Sequence, residues 1–430
     1  MRAWKKGTRI VIGYTKCNMT IILYAIPGFI TLILAEWLYG LARGRNTYRV
    51  ADTITSISLG SISRLRGLLF LGLGAWFYTR ASNGYHLLDL PDEGVGIWLF
   101  ALVAYDFSYY WFHRISHEVN LFWAAHVVHH QSEDYNLGTA LRQSGSGLFG
   151  FVFYLPWLYI GIPAEILFAS GALNLVYQFW VHTQHVYRIG PFEYVMVTPS
   201  NHRVHHAQNR IYIDRNYGGI FCIWDRMFGT FQDELKDEPC IYGIRKALRS
   251  YNPFWANVHV YWATLLDSWH AKRWQDKIKV WFKGPGWRPP GLAEAYPVEK
   301  IPLDNFRKFD PPVSKPVRMY AFFQFICTTL AGTGMLIAAN QWDTTAVVLA
   351  TGLIFLSFYL QSAWTEGQKN AIWLEWLKLG LVLIIPAFLP LEPVILTTIR
   401  VYLVISFLSL SYLTMHTCLQ YSATHLGQQK

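Results

Sequence analysis

Charged residues are scarce in this sequence of 430 residues: Asp, Glu, Lys and Arg make up 15% of it, against about a quarter in soluble domains. Hydrophobic residues reach 53%, and several apolar runs approach the roughly 20 residues of a bilayer-crossing helix. The net charge of +10 is not accompanied by a nucleic-acid-binding motif, so basic residues beside anionic lipid explain it better. The composition predicts an all-α, polytopic membrane helical bundle.

Cysteine is also scarce, and the five cysteines form no CxxC pair. This gives no support for a disulfide framework or a zinc–cysteine site. No dinucleotide-binding fingerprint is visible either. We expect no cleavable signal peptide, because the first apolar run follows a basic, polar start and leads into further spans.

Histidine, in contrast, is abundant and clustered. Three boxes of the forms HxxxH, HxxHH and HxxHH begin at residues 113, 126 and 202. Residues three and four apart share one face of a helix, so each box can aim its imidazoles at one point. Imidazole is a common ligand of iron, zinc and copper, and eight imidazoles exceed the needs of one ion. We therefore predict a pair of metals, held by His113, His117, His126, His129, His130, His202, His205 and His206.

His182 is the predicted ninth ligand, because it ends the returning helix of a hairpin on the same side as the boxes. His185 is three residues further on and is interpreted as a surface histidine, with a supporting role at the site as the alternative. The remaining histidines are interpreted as structural: His86, His259, His270, His416 and His425.

Carboxylates near the boxes are candidates to fix the imidazole tautomers. Asp106 precedes His113 on the same helical face, and a charge within a membrane span favours a functional interpretation. Glu118 directly follows His117. We predict Asp106 and Glu118 as the catalytic carboxylates, with a helix cap or a salt bridge as the alternative. Two further acidic residues flank the second box, namely Glu133 and Asp134.

A single zinc ion fits the boxes poorly. Structural zinc takes four ligands, usually including cysteine, and catalytic zinc takes three. His117-Glu118 does not open an HExxH motif, because Leu121 stands where the second histidine would be. A di-zinc hydrolase and a non-catalytic lipid- or metal-binding membrane protein remain as alternatives.

Along the chain we expect N-terminal spans in 1–95, a catalytic region in 96–250, a cytosolic or interfacial aromatic-basic segment in 251–316 and four spans in 317–430. The apolar segment Leu148–Val186 is broken at Gly161-Ile-Pro163 and predicts a helical hairpin that enters the membrane and returns. The predicted spans run roughly over Ile21–Leu41, Leu65–Tyr78, Ile97–Phe112, Arg318–Ala339, Thr345–Leu360, Ile372–Leu389 and Val394–Leu413.

Basic residues in the loops set the orientation of a membrane protein. The first loop contains Arg43, Arg45 and Arg49, whereas the second contains Asp89 and Asp92. This places the first loop, and with it all three boxes, on the cytosolic side. The basic start of the chain conflicts with this orientation, since it would lie on the opposite side: Lys5, Lys6 and Arg9.

The aromatic-basic segment contains Trp255, Trp262 and Trp269 at heptad spacing. Basic residues follow them: Lys272, Arg273, Lys277 and Lys279. Such a helix can lie in the plane of the lipid headgroups. A stripe that packs against the catalytic region is the alternative, and the sequence leaves both open.

The order of the boxes beside paired spans resembles the fatty acid hydroxylase/sterol desaturase superfamily of membrane di-iron enzymes. Within it, the segments around the boxes are similar to those of the alkylglycerol monooxygenase family. The similarity extends over nearly the whole chain. Asn201 stands where this resemblance expects a histidine. The similar segments are Asp106–Arg114, His129–Asn136, Thr139–Gln143, Thr198–His206, Asn209–Tyr217, Trp224–Phe231 and Lys283–Trp287.

The resemblance implies two iron ions and a tetrahydrobiopterin-dependent monooxygenase of the endoplasmic reticulum membrane. Such an enzyme uses O2 to cleave the ether bond of 1-O-alkylglycerols, releasing fatty aldehyde and glycerol. The spacing of the boxes does not itself indicate the pterin. The alternative within the superfamily is a hydroxylase or desaturase of a sterol or fatty acyl lipid, supplied by an electron-transfer protein.

Overall fold

The computed structural model describes residues 21, 24–82, 86–143, 150–298 and 302–427. Within these ranges the chain is helical and has no strand, only two isolated bridges, Met196–Phe221 and Ala207–Tyr242. The predicted all-α fold is confirmed. The basic start of the chain and the first residues of the predicted hairpin lie outside these ranges, and so do the side chains of His416 and His425.

The helices follow one another along the described residues in a simple order. They are α1 (Tyr24–Ala42), α2 (Val50–Ser82), α3 (Val95–Glu118), α4 (Asn120–His130), α5 (Leu155–Ile160), α6 (Ala164–Trp180), α7 (Pro199–His206), α8 (Ile223–Met227), α9 (Pro253–His270), α10 (Trp274–Phe282), α11 (Pro290–Ala295), α12 (Lys315–Ala338), α13 (Thr344–Thr365), α14 (Ala371–Ile384) and α15 (Pro393–Gly427).

Six helical segments in the described part of the chain are long and apolar enough to cross a membrane. The chain is therefore a multi-pass membrane protein. The segments are Tyr24–Ala42, Val95–Glu118, Lys315–Ala338, Thr344–Thr365, Ala371–Phe388 and Pro393–Met415.

The predicted second span, Leu65–Tyr78, differs from the structure. It is not a separate helix but part of α2, which is 33 residues long and begins at Val50. In the sequence its apolar stretch is bounded by Arg66 and Arg80. That interval is too short for a helix that crosses the hydrocarbon core, which needs about 20 apolar residues.

The predicted hairpin segment folds as two helices, α5 and α6, and the break between them has a steric cause. Gly161 has a φ of 117°, and a Cβ placed there would lie 2.1 Å from the carbonyl oxygen of Leu88, so only glycine fits. The two helices have 6 and 17 residues, fewer than the roughly 20 of a typical membrane-crossing helix. The entry of this segment into the membrane and its return stay a prediction.

The chain forms two compact units that interleave in sequence, whereas the predicted regions are consecutive. The first unit comprises Met1–Arg49, Phe70–Leu248 and Asn257–Arg307, and the second comprises Val50–Leu69, Arg249–Ala256 and Lys308–Lys430. The first unit contains all three histidine boxes. The second contains the four C-terminal membrane helices.

The core of the first unit brings α3 against α6. Ala101, Leu158 and Leu167 are buried together in it. At Gly171 a Cβ would lie 2.7 Å from the ring of Tyr105, so the missing side chain allows the two helices to approach closely. This packing places the end of α6, where His182 follows, beside the histidines of α3 and α4.

The second unit contains a buried ion pair among its membrane helices. Glu375 and Lys378 of α14 form a salt bridge, and each side chain is 1% exposed. Tyr320 and Trp364 donate to the two carboxylate oxygens at 3.0 and 3.1 Å. Lys378 also donates to Oε1 of Gln324 at 2.8 Å. We call these five residues the Glu375–Lys378 network, and it ties α12, α13 and α14 together.

The aromatic-basic segment folds as α9 and α10. Trp262 is 52% exposed and Trp269 is 78% exposed. The alternative in which this stripe packs against the catalytic region is therefore wrong. The side chains that face inward on these helices are Thr264 and Val280 instead.

Candidate metal centre

The three boxes lie on three helices of the first unit. His113 and His117 belong to the last two turns of α3, and the second box ends α4. Only Val119 separates α3 from α4, and its extended backbone (φ −123°, ψ 121°) turns the chain sharply. The corner brings the first and second boxes together although they lie on different helices.

The third box occupies α7, which is short and begins with a capping box. The Thr198 side chain accepts from the backbone N–H of Asn201, and the Asn201 side chain accepts from that of Thr198. Pro199 occupies the first turn, where no N–H is needed. Asn201 therefore has a structural function here as a capping residue. His182 lies in the turn directly after α6.

The structure brings all nine predicted ligands together in two groups. Within each group, the ligand nitrogens lie within 4.8 Å of one another. The rings of His130 and His206, one from each group, stack with their centroids 4.4 Å apart. The two groups are therefore adjacent. The five-histidine group comprises His113, His117, His126, His130 and His205, and the four-histidine group comprises His129, His182, His202 and His206.

The spacing of the nitrogens fits metal coordination. In the five-histidine group, Nε2 of His126 lies 3.0 Å from Nε2 of His113 and 3.1 Å from Nε2 of His130. In the four-histidine group, Nε2 of His182 lies 3.4 Å from that of His129 and 3.1 Å from that of His202. A metal–imidazole bond of about 2.1 Å puts neighbouring ligands about 3.0 Å apart in an octahedron and about 3.4 Å apart in a tetrahedron.

Backbone carbonyls fix the tautomers of four histidines. Nδ1 of His113 donates to the carbonyl of Tyr217 at 2.8 Å, and Nδ1 of His205 donates to that of Arg215 at 2.9 Å. The corresponding bonds of the other two are His129 to Arg142 at 2.9 Å and His182 to Gln178 at 2.7 Å. Because a carbonyl can only accept, each neutral ring has its proton on Nδ1 and a lone pair on Nε2.

Two of these lone pairs face each other, which is unfavourable without a cation. His129 and His182 present unprotonated Nε2 atoms 3.4 Å apart. Nε2 of His117 and Nε2 of His205 are buried and have no hydrogen-bond partner. Buried polar atoms are nearly always satisfied, so these nitrogens fit metal ligation. The residues present therefore suit a metal cofactor.

Burial keeps the imidazoles in the form that binds metal. Each of the nine side chains is 8% exposed or less. Burial lowers the pKa of His129 to about 4 and that of His205 to about 3. It also lowers the pKa of His182 and of His202 well below the usual value. These rings are therefore neutral at neutral pH, as metal ligation requires.

Asp106 was predicted to be a partner of imidazole, but the structure gives its carboxylate other partners. Its fully buried carboxylate accepts from the backbone N–H groups of Ile220 and Phe221 at 2.7 and 3.1 Å. It also accepts from Asn174 at 2.6 Å and from Trp224 at 2.9 Å. Asp106 therefore holds the loop after Tyr217, and the Tyr217 carbonyl orients His113. Its influence on the imidazole passes through the loop.

Glu118 is not brought to the histidines either. Its exposed carboxylate accepts from Arg114 at 2.9 Å, which is the salt-bridge alternative of the sequence interpretation. Of the other two acidic candidates, Asp134 pairs with Arg49 at 2.8 Å, and Glu133 is buried. At four of the histidines, backbone carbonyls take the place of the expected carboxylates, and no residue pattern reveals them. At His117, Oδ1 of Asp214 lies 3.9 Å from Nδ1.

His185 lies outside both groups. It is half-buried against α1, where its ring meets that of Tyr39 edge-on at 5.2 Å. His86 bonds to the carbonyl of Leu158 at 3.0 Å. His270 stacks on Tyr296 with the ring centroids 4.7 Å apart. The structural interpretation fits His86 and His270, whereas His185, which was interpreted as a surface histidine, is half-buried.

Two further residues support the centre and were missed by the sequence analysis. Asp225 accepts from the N–H groups of Tyr217 and Gly218 at 2.7 and 2.8 Å, so the loop that orients His113 is held by two carboxylates. Burial raises the pKa of Asp225 to about 6. The other residue is Arg203. Its position inside the third box is the signal by which it could have been found in the sequence.

Arg203 fixes the third box to the segment after His182. Its guanidinium forms a two-pronged pair with Glu234 at 2.9 and 2.7 Å. It also donates to the carbonyls of Thr183 and Val186 at 2.9 and 2.7 Å. One buried arginine thus links the third box, which contains His202 and His206, to the segment that follows His182.

The family model of the fatty acid hydroxylases matches residues 98–230, which contain all three boxes. Together with the membrane helices and the histidine centre, this match defines a membrane lipid monooxygenase. Alkylglycerol monooxygenase from Danio rerio is 36% identical over 89% of this chain and 86% of its own length. The proteins of that name from Homo sapiens and Xenopus tropicalis are 39% and 35% identical, over 70% and 84% of this chain and 68% and 80% of their own lengths.

The chain therefore belongs to the alkylglycerol monooxygenase family. No solved structure matches it.

Proposed function

We propose that this protein hydroxylates the ether-linked alkyl carbon of 1-O-alkylglycerols, with O2 as oxidant and tetrahydrobiopterin as reductant. The observation that carries the proposal is the pair of histidine groups, nine buried imidazoles in all, in a membrane chain of the alkylglycerol monooxygenase family. The name of the relatives supports the substrate class. The absence of a dinucleotide fingerprint from the sequence is compatible with a separate reductant such as the pterin.

The proposed metals are two iron ions, one in each histidine group. When bound, they would supply the redox chemistry that activates O2 for insertion into a C–H bond. The nine imidazoles are the proposed ligands, and Asp106 is a positioning residue that acts through the loop of Tyr217. We assign Glu118 no contact with the metals, because Arg114 binds it.

The proposed reaction inserts one oxygen atom into the C–H bond beside the ether oxygen. That bond is weaker than an ordinary methylene C–H, because the oxygen lone pair stabilises a carbon radical. The hydroxylated product is a hemiacetal, which collapses to a fatty aldehyde and glycerol. The second oxygen atom leaves as water, and the two electrons that this requires come from tetrahydrobiopterin, which becomes a dihydropterin.

The protein's own contribution is orientation and exclusion of water. The carbonyls of Tyr217, Arg215, Arg142 and Gln178 hold four imidazoles in one tautomer, so the ligand nitrogens need not reorganise. Burial of the centre keeps bulk water away from the oxidising species. A membrane location supplies the lipid and an apolar environment for its tail.

We further propose that the protein resides in the endoplasmic reticulum membrane with its metal centre facing the cytosol. The basic loop that contains Arg43, Arg45 and Arg49 supports this orientation by the distribution of positive charge. A cytosolic centre would be accessible to a soluble reductant.

The test is an assay of membranes with and without the protein, supplied with an alkylglycerol. We expect fatty aldehyde only when both O2 and tetrahydrobiopterin are added. A His205→Ala variant expressed to the same level is the matched control. Turnover of a sterol or fatty acyl lipid through an electron-transfer protein, with no aldehyde from the ether lipid, would instead establish the alternative activity.

A further inference from the structure

The helices α9 and α10 present an apolar stripe outward. On α9 the exposed side chains Val258, Trp262, Leu265 and Trp269 recur three or four residues apart, so they share one face. Such an exposed apolar face marks an interaction surface. On α10 the same pattern is formed by three exposed side chains, Trp274, Ile278 and Phe282. We call these seven residues the tryptophan stripe.

The inner face of the same helices is anchored to the metal-bearing helix. Nδ2 of Asn120, the first residue of α4, donates to the hydroxyl of Thr264 at 2.9 Å and to the carbonyl of Val280 at 2.8 Å. The Asn120 N–H donates to the carbonyl of Lys283 at 2.9 Å. The stripe therefore faces away from the unit, while its opposite side holds the beginning of α4.

The corner between α9 and α10 is fixed by side chains. Lys277 donates to the carbonyls of Ser268 and Trp269 at 3.0 and 2.8 Å, which satisfies the C-terminal end of α9. Arg288 donates two hydrogen bonds to the carboxylate of Asp267, at 2.8 and 2.5 Å. The two halves of the stripe are thus held as one surface.

Basic side chains surround this surface. Lys272 and Arg273 are exposed at the corner, and Lys279 and Lys283 are exposed along and after α10. Tryptophan prefers the boundary between headgroups and acyl chains, and lysine and arginine there attract anionic phosphate. A second copy of this chain would offer the same positive charge and would be repelled.

We propose that the tryptophan stripe docks on the bilayer interface and binds anionic phospholipid headgroups through Lys272 and Arg273. The chain has six candidate membrane spans, so a bilayer surface is available to the stripe. Because Asn120 joins the docked helices to the start of α4, the docking sets the depth at which the second histidine box lies relative to the headgroups. This surface is independent of the proposed reaction at the metal centre.

Photo-crosslinking in liposomes tests the proposal with the full chain. A benzophenone amino acid replaces Trp269 or Ile278, and Leu235, an exposed residue in an acidic loop, is the matched control position. We expect several-fold more phospholipid adduct, detected by mass spectrometry, at the two stripe positions than at Leu235. Equal yields at all three positions, or crosslinks predominantly between two copies of the chain, would overturn the docking.

The lipid charge is tested in liposomes that contain phosphatidylcholine and phosphatidylglycerol. We expect the anionic lipid to be over-represented among the adducts at Trp269 relative to its share of the bilayer. The double substitution Lys272→Glu and Arg273→Glu should reduce this enrichment at least about fivefold, the effect of one basic residue at an anionic surface. An enrichment absent from the unsubstituted protein, or unchanged by the charge reversal, would overturn the headgroup assignment. Thermal unfolding of each variant in detergent checks that the chain is folded.

Discussion

The two units bury polar side chains in opposite ways. In the first unit, nine histidines converge and several of their nitrogens have no proton-donating partner. In the second unit, the Glu375–Lys378 network supplies donors to both oxygens of its carboxylate and acceptors to its ammonium group. Both regions are almost completely buried.

The difference separates a ligand site from an architectural element. A buried group that is left unsatisfied costs free energy, so it persists only where something else binds it. A buried ion pair that is fully hydrogen-bonded needs no ligand and fixes how its helices meet. Charge within a membrane protein invites a functional interpretation, yet here the state of the hydrogen bonds distinguishes function from assembly.

The largest expected effect is the loss of a histidine whose ligand nitrogen is unsatisfied. His205→Ala should abolish aldehyde formation and lower the iron content from about two per chain, while the protein stays folded. Activity assays, metal analysis and thermal unfolding in detergent measure this. The assignment of the first unit as the ligand site would be wrong if the variant retained near-normal activity, or if purified protein held stoichiometric zinc alone.

The second unit should respond in stability and not in metal binding. Lys378→Met leaves Glu375 buried without its counter-ion, which should lower the free energy of unfolding by about 3–5 kcal/mol. The double substitution Glu375→Leu and Lys378→Met should cost less than the single one. Lys369→Met, at an exposed position, is the matched control. Loss of iron from folded Lys378→Met protein would contradict the separation of roles.

The supporting carboxylate of the first unit offers an intermediate case. Asp106→Asn removes an acceptor from the loop that orients His113, and we expect metal affinity to fall about 10–100-fold. Glu118→Gln is the control, because it alters only an exposed pair with Arg114. Metal titration of the apo-protein measures both. Equal affinities of Asp106→Asn and unsubstituted protein would mean that the loop does not position the ligand.

The smallest expected effect concerns Arg203. Lysine at this position keeps the charge but cannot form the two-pronged bond with Glu234 together with both carbonyl contacts. We expect Arg203→Lys to reduce the free energy of unfolding by about 1.5 kcal/mol and to weaken metal binding mainly in the four-histidine group. If both groups lost metal equally, the argument for a local tie between His182 and the third box would fail.

Much of the centre was predictable because helical spacing and side-chain chemistry are local properties. The three boxes and His182 could be found from positions along the chain, and the apolar runs indicated the membrane helices. The carbonyls of Tyr217 and Arg215 could not be found, because every residue has a carbonyl and only the folded loop aims it. Asp106 was recognised as important, but its partners are backbone N–H groups of a loop more than a hundred residues away.

The remaining differences have equally physical causes. The length of α2 could not be predicted from the apolar run Leu65–Tyr78, because helix propagation continues through polar residues when tertiary contacts support it. For the stripe of Trp262 and Trp269, heptad spacing fixes a shared face but does not say whether that face points inward. The exposure of Trp262 and Trp269 shows that this face points outward. It does so because the opposite face is anchored through Thr264 to Asn120.

The corner at Val119 makes the two histidine groups unequal in the order of their assembly. Four ligands of the five-histidine group lie between residues 113 and 130, so they come together as a short local structure with little loss of chain entropy. The four-histidine group can form only after α6 has been synthesised, since His129 and His182 are separated by 53 residues and the third box follows later still. During synthesis, one site is therefore nearly complete while the other does not yet exist.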